Sequence, residues 1–290
     1  MKRSFLVKML RVTALLSIAT MSLWAQELGY KAGWFKGDTI TSSSPLEGVA
    51  DIFQARYAKP ITYEDPVWEW DGDAEFRGIE GNANWAGAKA WVPLRRVFHL
   101  PFELTETRQS TLSSALLESV LAEYHRQNPL AHFRVIQSRL GLHFVPDTSH
   151  NRSGQVAPAL SAMDTTITVP EGNRTASAHF EAICEAISQR QGFRVLGMAV
   201  GIGEDWYENL FDAPGGKLTW GATAVTAREA LVDLLDHSAT SFSWRLLCEP
   251  STLPHGVARC SMNLQPLHVV RPDANGNPVL VRLEYDRRSR

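Results

Sequence analysis

Residues 63–91, YEDPVWEWDGDAEFRGIEGNANWAGAKAW, hold the densest gathering of side chains that could do chemistry. Trp68, Trp70, Trp85 and Trp91 lie among Glu64, Asp65, Glu69, Asp71, Asp73 and Glu75. Two carboxylates held ~5–10 Å apart across a cleft could act as acid and base in glycoside hydrolysis. The tryptophans could instead form a binding surface, because indole rings offer area and a face for sugar C–H groups or apolar peptide groups. A third reading makes the segment a loop that folds back on a sheet and lets its aromatics complete a core. Trp68-Glu69-Trp70-Asp71 alternates, so both rings fall on one side of an extended piece. Burial of Trp68 and Trp70 is the expectation, since a lobe with short helices needs large side chains to finish its packing. Should the segment be a surface instead, its candidate binding residues are Trp68, Trp70, Trp85, Trp91, Glu64, Asp65, Asp71 and Asp73. "DGDAE" lacks the twelve-residue ligand pattern of a calcium loop, and no metal site or catalytic residue is assigned.

The remaining chain carries no nucleophile elbow, H-E-x-x-H pair, P-loop or EF-hand loop. "GIGEDW" at 201–206 contains only G-x-G, too short for a dinucleotide fingerprint, so no cofactor is expected. The nine histidines show no ligand spacing, and His99, His143, His179 and His237 are expected in surface or hydrogen-bonded positions. Three cysteines show no zinc or C-x-x-C spacing. Cys248 and Cys260 fall in two successive strand-like stretches, "SWRLLC" and "RCSMNL", so a cross-strand disulfide is expected between them. Cys184 lies on the apolar stripe of a helix and reads as a small buried hydrophobe.

The N-terminus supplies the compartment. Lys2, Arg3, Lys8 and Arg11 precede an apolar run from Val12 to Trp24, the layout of a secretory signal peptide over residues 1–25. That run is shorter than the ~20 residues a spanning helix needs. Cleavage before Gln26 is the expected processing, with Leu23 an imperfect small-residue position. Losing those four positive charges takes the formal charge from −2 to −6. An acidic exported chain lacks the basic footprint of a nucleic-acid binder.

The elements that must position these residues repeat. Thr226 and Glu229 form a T-x-x-E capping box, followed by the stripe Ala227, Ala230, Leu231, Leu234 and Leu235 at helical spacing. A short strand at 218–220 precedes this helix and an aromatic-rich one at 242–248 follows it. The same order recurs upstream. A strand at 166–169, the stripe Phe180, Ile183, Cys184 and Ile187, and a strand at 193–196 make one copy. A strand at 39–41, an S-P-L-E start in which Ser44 and Glu47 are expected to form a capping box, the stripe Leu46, Val49, Ala50 and Phe53, and a strand at 60–64 make another. A looser copy runs from a strand at 97–102 through Leu117, Val120, Leu121 and Tyr124. It closes on a hairpin, 133–136 and 143–145, across "QSRLGL". Each unit alone leaves its stripe uncovered, and pairing two units with both helices on one sheet face covers it. The expected class is α+β, with repeated βαβ-like units in two small lobes at 26–150 and 161–270. Residues 64–92 form an insertion in the first lobe, 151–160 a linker, and 271–290 a C-terminal strand and basic tail.

The halves "TITVPEGNRTASAHFEAICEAISQRQGFRV" and "LTWGATAVTAREALVDLLDHSATSFSWRL" resemble secretin and TonB-receptor short N-terminal modules, where a βαβ pair packs as a small periplasmic domain. The chain is also similar to uncharacterised exported bacterial proteins with "YEDP", residues 63–66, after the first helix. The resemblance implies a non-enzymatic binding or assembly module of the envelope, taking an envelope protein or a glycan or peptide as partner. It carries no catalytic residue. The alternative expectation is an exported hydrolase of glycan or peptide with its cleft at the tryptophan-rich segment.

Overall fold

The computed structural model describes residues 39–78, 89–101, 104, 112–129, 132–159, 161–199, 211, 216–238, 240–250, 259–273 and 278–283. The expected leader, Trp85, the 201–206 stretch and most of the basic tail lie outside them. The first half runs β1 (Thr39–Ser42), α1 (Pro45–Tyr57), β2 (Ile61–Glu64), the hairpin β3 (Ala74–Gly78) and β4 (Lys89–Pro93), and β5 (Arg96–His99). It continues through α2 (Ser114–Gln127), β6 (His132–Gln137), β7 (Leu142–His150) and β8 (Val156–Pro158). The second half runs β9 (Thr166–Thr175), α3 (Ala176–Gln191), β10 (Arg194–Ala199), β11 (Lys217–Thr226), α4 (Ala227–Leu235), β12 (Phe242–Cys248) and β13 (Arg259–Pro266). A last hairpin, β14 (His268–Pro272) and β15 (Pro278–Arg282), follows. The fold is α+β. No helix among the described residues is long and apolar enough to cross a membrane.

Both halves use one plan. Their leading strands pair antiparallel as separate ribbons, β1 with β5 and β9 with β11. Their closing strands form matching three-stranded sets: β2 parallel to β7 with β6 antiparallel beside it, and β10 parallel to β13 with β12 antiparallel beside it. Helices α1 to α4 fill the space between ribbons and sheet. The apolar stripes read from the sequence are buried there, Leu46, Val49, Ala50 and Phe53 on α1 and Ala227, Ala230, Leu231, Leu234 and Leu235 on α4 among them.

The two sets are not separate sheets. They join edge to edge in the order β10-β13-β12-β2-β7-β6, with β8 added to β7, and one hydrophobic core cluster spans both halves. Residues expected as a linker at 151–160 include β8, whose backbone pairs with the end of β7. The reason is local: a β7 that continues to His150 has unpaired backbone groups, and the chain returns at once to meet them.

The repeats match residue by residue. Ile61 stands opposite Leu142, and Val195 opposite Cys260. Three residues along the same strands, Val145 faces Arg134 and Asn263 faces Arg245. Helices α1 and α3 both end on a left-handed residue, Ala58 and Gly192. From these ends the chain reaches Ile61 and Val195 after the same number of residues, and each strand N–H is taken by a helix side chain: Ile61 by Gln54 Oε1 at 3.3 Å, Val195 by Ser188 Oγ at 2.8 Å. The hairpins differ. β6 and β7 close tightly at Gly141, where a Cβ would lie 2.1 Å from the Pro60 carbonyl oxygen. β12 and β13 enclose a longer loop, and the disulfide Cys248–Cys260 closes it across a directly opposed pair.

The Thr226–Glu229 capping box forms on both sides, with Thr226 N–H donating to Glu229 Oε2 at 2.9 Å and Glu229 N–H to Thr226 Oγ1 at 3.2 Å. The box expected at Ser44 and Glu47 does not. Ser44 Oγ donates to the Asp65 carboxylate at 3.2 Å instead, because a buried carboxylate needs donors more than a helix end does.

Cys184 is buried, and burial pushes its thiol up to about 12. Peptide mapping without reductant should find Cys248 joined to Cys260 and Cys184 unlabelled until the protein unfolds. Replacing both paired cysteines by serine should cost about 3 kcal/mol, the loop-entropy value for a closed loop of this length.

Candidate functional site

The tryptophan- and acid-rich segment divides into an inner and an outer part. Its inner part begins as β2, which lies between β7 and β12 and is buried along its length. Glu64 therefore sits fully enclosed at the junction of the two halves. Arg228 at the start of α4 meets it in a two-pronged pair, Nε to Oε1 at 2.9 Å and Nη2 to Oε2 at 2.6 Å. The third nitrogen of Arg228 donates to Asp164 at 2.6 Å, and Trp244 Nε1 donates to Glu64 at 3.3 Å. Burial works against the Arg228 charge, but Glu64 and Asp164 more than offset it and raise its pKa.

Asp65 is equally enclosed and accepts from three donors: Tyr63 OH at 2.6 Å, Ser44 Oγ at 3.2 Å and the Cys248 backbone N–H at 3.0 Å. Burial still pushes its pKa up to about 6 against those hydrogen bonds. Glu47, one turn into α1, rises to about 8 through burial and the nearby carboxylates of Asp51 and Asp65, with Arg245 opposing. His143 lies between Thr62 Oγ1 at 2.8 Å and Ser138 Oγ at 2.7 Å, stacked on Trp244, and burial followed by repulsion from Arg228 lowers it to about 3. It is a neutral core histidine, as is the buried His179, whose Nε2 lies 2.8 Å from the Leu218 carbonyl oxygen.

Further along, Asp73 is buried between Arg96 (3.5 Å) and His150 Nδ1 (2.8 Å). The Arg96 guanidinium covers the ring of Trp68 at 4.7 Å, and Trp68 is 1% exposed. Trp68 is thus a core residue. Trp70 is only half-buried; its ring meets the edge of His150 at 4.6 Å and packs where a Cβ on Gly72 or Gly154 would clash. Asp71 is exposed at the turn before β3. The outer part is the β3–β4 hairpin, where half-buried Trp91 lies 5.6 Å from Phe76, a ring 56% exposed.

The structure accordingly brings Glu64, Asp65, Asp73 and Trp68 inside and leaves Asp71, Trp70 and Trp91 toward the surface. Each of the three inner acids is engaged by a cation, a histidine or hydrogen-bond donors rather than by an opposing acid across a cleft. Elsewhere, an open hollow of about 620 Å³ lies between β5 and α2, lined by Val97, His99, Glu123 and Arg126 among others. Its acid, Glu123, is held down at about 2 by hydrogen bonds from Arg126 and Gln127. No group of three or more His, Cys, Asp or Glu among the described residues could hold a metal ion. Sequence reasoning missed Arg228, Arg245, Arg96 and His150, the partners that decide the fate of the acids. Their only signal was charge within stretches otherwise reading as core helix or strand.

Removing Glu64 should strand part of the Arg228 charge. A Glu64→Gln change should cost about 3 kcal/mol, the lower end for breaking a buried ion pair, because Asp164 remains. Chemical denaturation should read this as a lower midpoint. Glu47 and Asp65 are acids whose pKa rises on folding, so the folded chain holds their protons more tightly. Their contribution is present below the unfolded value and lost as pH rises through about 6 for Asp65 and about 8 for Glu47. Neutral His143 adds stability until its unfolded form has lost its proton, so the fall in melting temperature carried by Glu47 should appear above about pH 7 and continue toward about 8, and Glu47→Gln should flatten it. Glu47 keeps some surface in solvent, which makes the slope shallower than full enclosure would. Neither a protein-family model, a curated protein nor a solved structure matches this chain, so its site is read from its own geometry.

Proposed function

We propose that the protein is an exported, non-enzymatic binding or assembly module of the bacterial envelope, which takes a protein, peptide or glycan partner on the outer part of the tryptophan-rich segment. The observation that carries this reading is the aromatic pair Phe76 and Trp91 on the β3–β4 hairpin, one ring largely in solvent and the other beside it. Paired rings that keep area in solvent offer a face to apolar or sugar C–H groups. The inner acids support the same reading from the other side, since Glu64, Asp65 and Asp73 are committed to holding the fold together. The disulfide agrees with an oxidising compartment outside the cytoplasm.

The test is a capture experiment from the native envelope fraction, using mature protein whose first residue is expected to be Gln26. Wild type should retain a partner. A Phe76→Ala, Trp91→Ala double variant should lose it while still melting cooperatively, its melting temperature lowered mainly by loss of the half-buried Trp91 ring, since an exposed change such as Phe76→Ala usually stays within about ±0.5 kcal/mol. Equal retention by the double variant would reject this face as the binding surface.

A further inference from the structure

The junction between the two halves is an edge-to-edge contact, and the repeat leaves the same two kinds of edge at the ends of the sheet with no strand beside them among the described residues, the Phe133 N–H on β6 being taken by His125 Nε2 at 2.9 Å. Inside the molecule, β12 adds to β2 in parallel, Arg245 opposite Tyr63 and Leu246 opposite Glu64. The Asp65 N–H donates to the Leu246 carbonyl at 2.8 Å. Arg245 locks the contact: it pairs with Asp51 on α1 and donates to the Ile61 carbonyl at 2.8 Å.

The backbone contacts and the arginine of that lock have counterparts at the outer ends. β6, the strand equivalent to β12, ends the sheet on one side, and β10, equivalent to β2, ends it on the other. Arg134 on β6 occupies the place of Arg245, as the shared register requires. Its side chain is half exposed, with a loose 3.9 Å contact to Asp147. Val195 occupies the place of Ile61. Glu185 precedes Gly192 by the same seven residues that separate Asp51 from Ala58, and it is exposed on α3. The buried acids are the exceptions: the counterparts of Glu64 and Arg228 are Met198 and Ala115, and that of Asp65, which takes the Cys248 N–H, is Ala199, so closing the outer edges buries no unpaired charge there.

We propose that these edges bind a second copy of this chain: β6 of one molecule adds in parallel to β10 of the next, in the register that β12 takes on β2. Arg134 then faces Gly197 and Val135 faces Met198. The Arg134 guanidinium reaches the Glu185 carboxylate and the Val195 carbonyl of the neighbour, and the Ala199 N–H donates to the Val135 carbonyl. Such a contact uses two different surfaces, so each added molecule presents a fresh edge. Growth proceeds to a ring or a filament rather than stopping at a twofold dimer. Unpaired sheet edges are known templates for this kind of addition. The inference extends the assembly reading by naming the chain itself as a partner, and it uses residues apart from the Phe76–Trp91 face.

Sedimentation velocity on the exported chain, from micromolar to near-millimolar concentration, tests it. Wild type should form a concentration-dependent series of species larger than a dimer. Arg134→Glu and Glu185→Arg should each abolish that series without lowering the melting temperature, and the two reversals together should restore it. In an Arg134→Lys variant mixed with isotope-labelled copies, a carbodiimide should join positions 134 and 185 of different molecules. A chain that stays monomeric throughout, association indifferent to both reversals, or strand addition at β10 by a different envelope protein would overturn the proposal. Self-association that persists when Phe76→Ala, Trp91→Ala loses envelope capture would separate this inference from the proposed function; failure of association with capture intact would defeat this inference alone.

Discussion

Glu64 is a charge with no access to water, placed where two halves of the chain share a sheet. Burying it is affordable only because Arg228 arrives from the other half and matches both carboxylate oxygens, with the Trp244 ring nitrogen completing the shell. Arg245, paired with Asp51 and bonded to the Ile61 carbonyl, fixes the same junction from the other strand. β12 must lie parallel to β2 to bring Trp244 against His143, and α4 must begin where its second residue can reach across. An apolar junction could be as stable, but it would accept many registers. A two-pronged pair accepts one.

The repeat shows which contacts a β-α-β pair needs and which are added by use. Retained in both halves are the leading-strand ribbon, the left-handed helix end, and a helix side chain that takes the N–H of the following strand. These are demands of the backbone, which must find partners for its polar groups wherever it is buried. The hairpin closures diverge because either a tight glycine turn or a cross-strand disulfide satisfies the same geometric need. Charge at the junction diverges most. Glu64 and Arg228 belong to the internal contact, and their counterparts are neutral, so the internal and external edges share a shape but differ in how tightly they are specified.

In the tryptophan-rich segment, depth separates the roles of otherwise similar residues. Trp68 lies under Arg96 and is removed from solvent, whereas Trp91 two strands later keeps one side open beside Phe76. The chain leaves the sheet after Asp65, returns at Asp73 to anchor between Arg96 and His150, and only then projects as a hairpin. The acids at both anchor points hold that exit in place. They act as staples for the segment whose outer rings are free to make contact.

Much of the architecture was legible without coordinates. The helix stripes, the Thr226–Glu229 cap, the hairpin across "QSRLGL" and the Cys248–Cys260 pair depend on spacings of a few residues or on adjacent strands, and such short-range geometry is written in local order. The expectation that Trp68 is core also followed from a packing need that any small α+β unit has. Other features depended on distant partners. Ser44 left its helix end for Asp65, the presumed linker joined the sheet, and Glu64 turned from a candidate surface acid into the most enclosed charge at the junction. Arg228 lies 164 residues from Glu64, and no periodicity links positions that far apart. Local sequence determined which elements form because their hydrogen bonds and stripes close within a turn or a hairpin. Tertiary structure alone decided what the acids do, because the energy of a buried charge is set by what the fold places beside it.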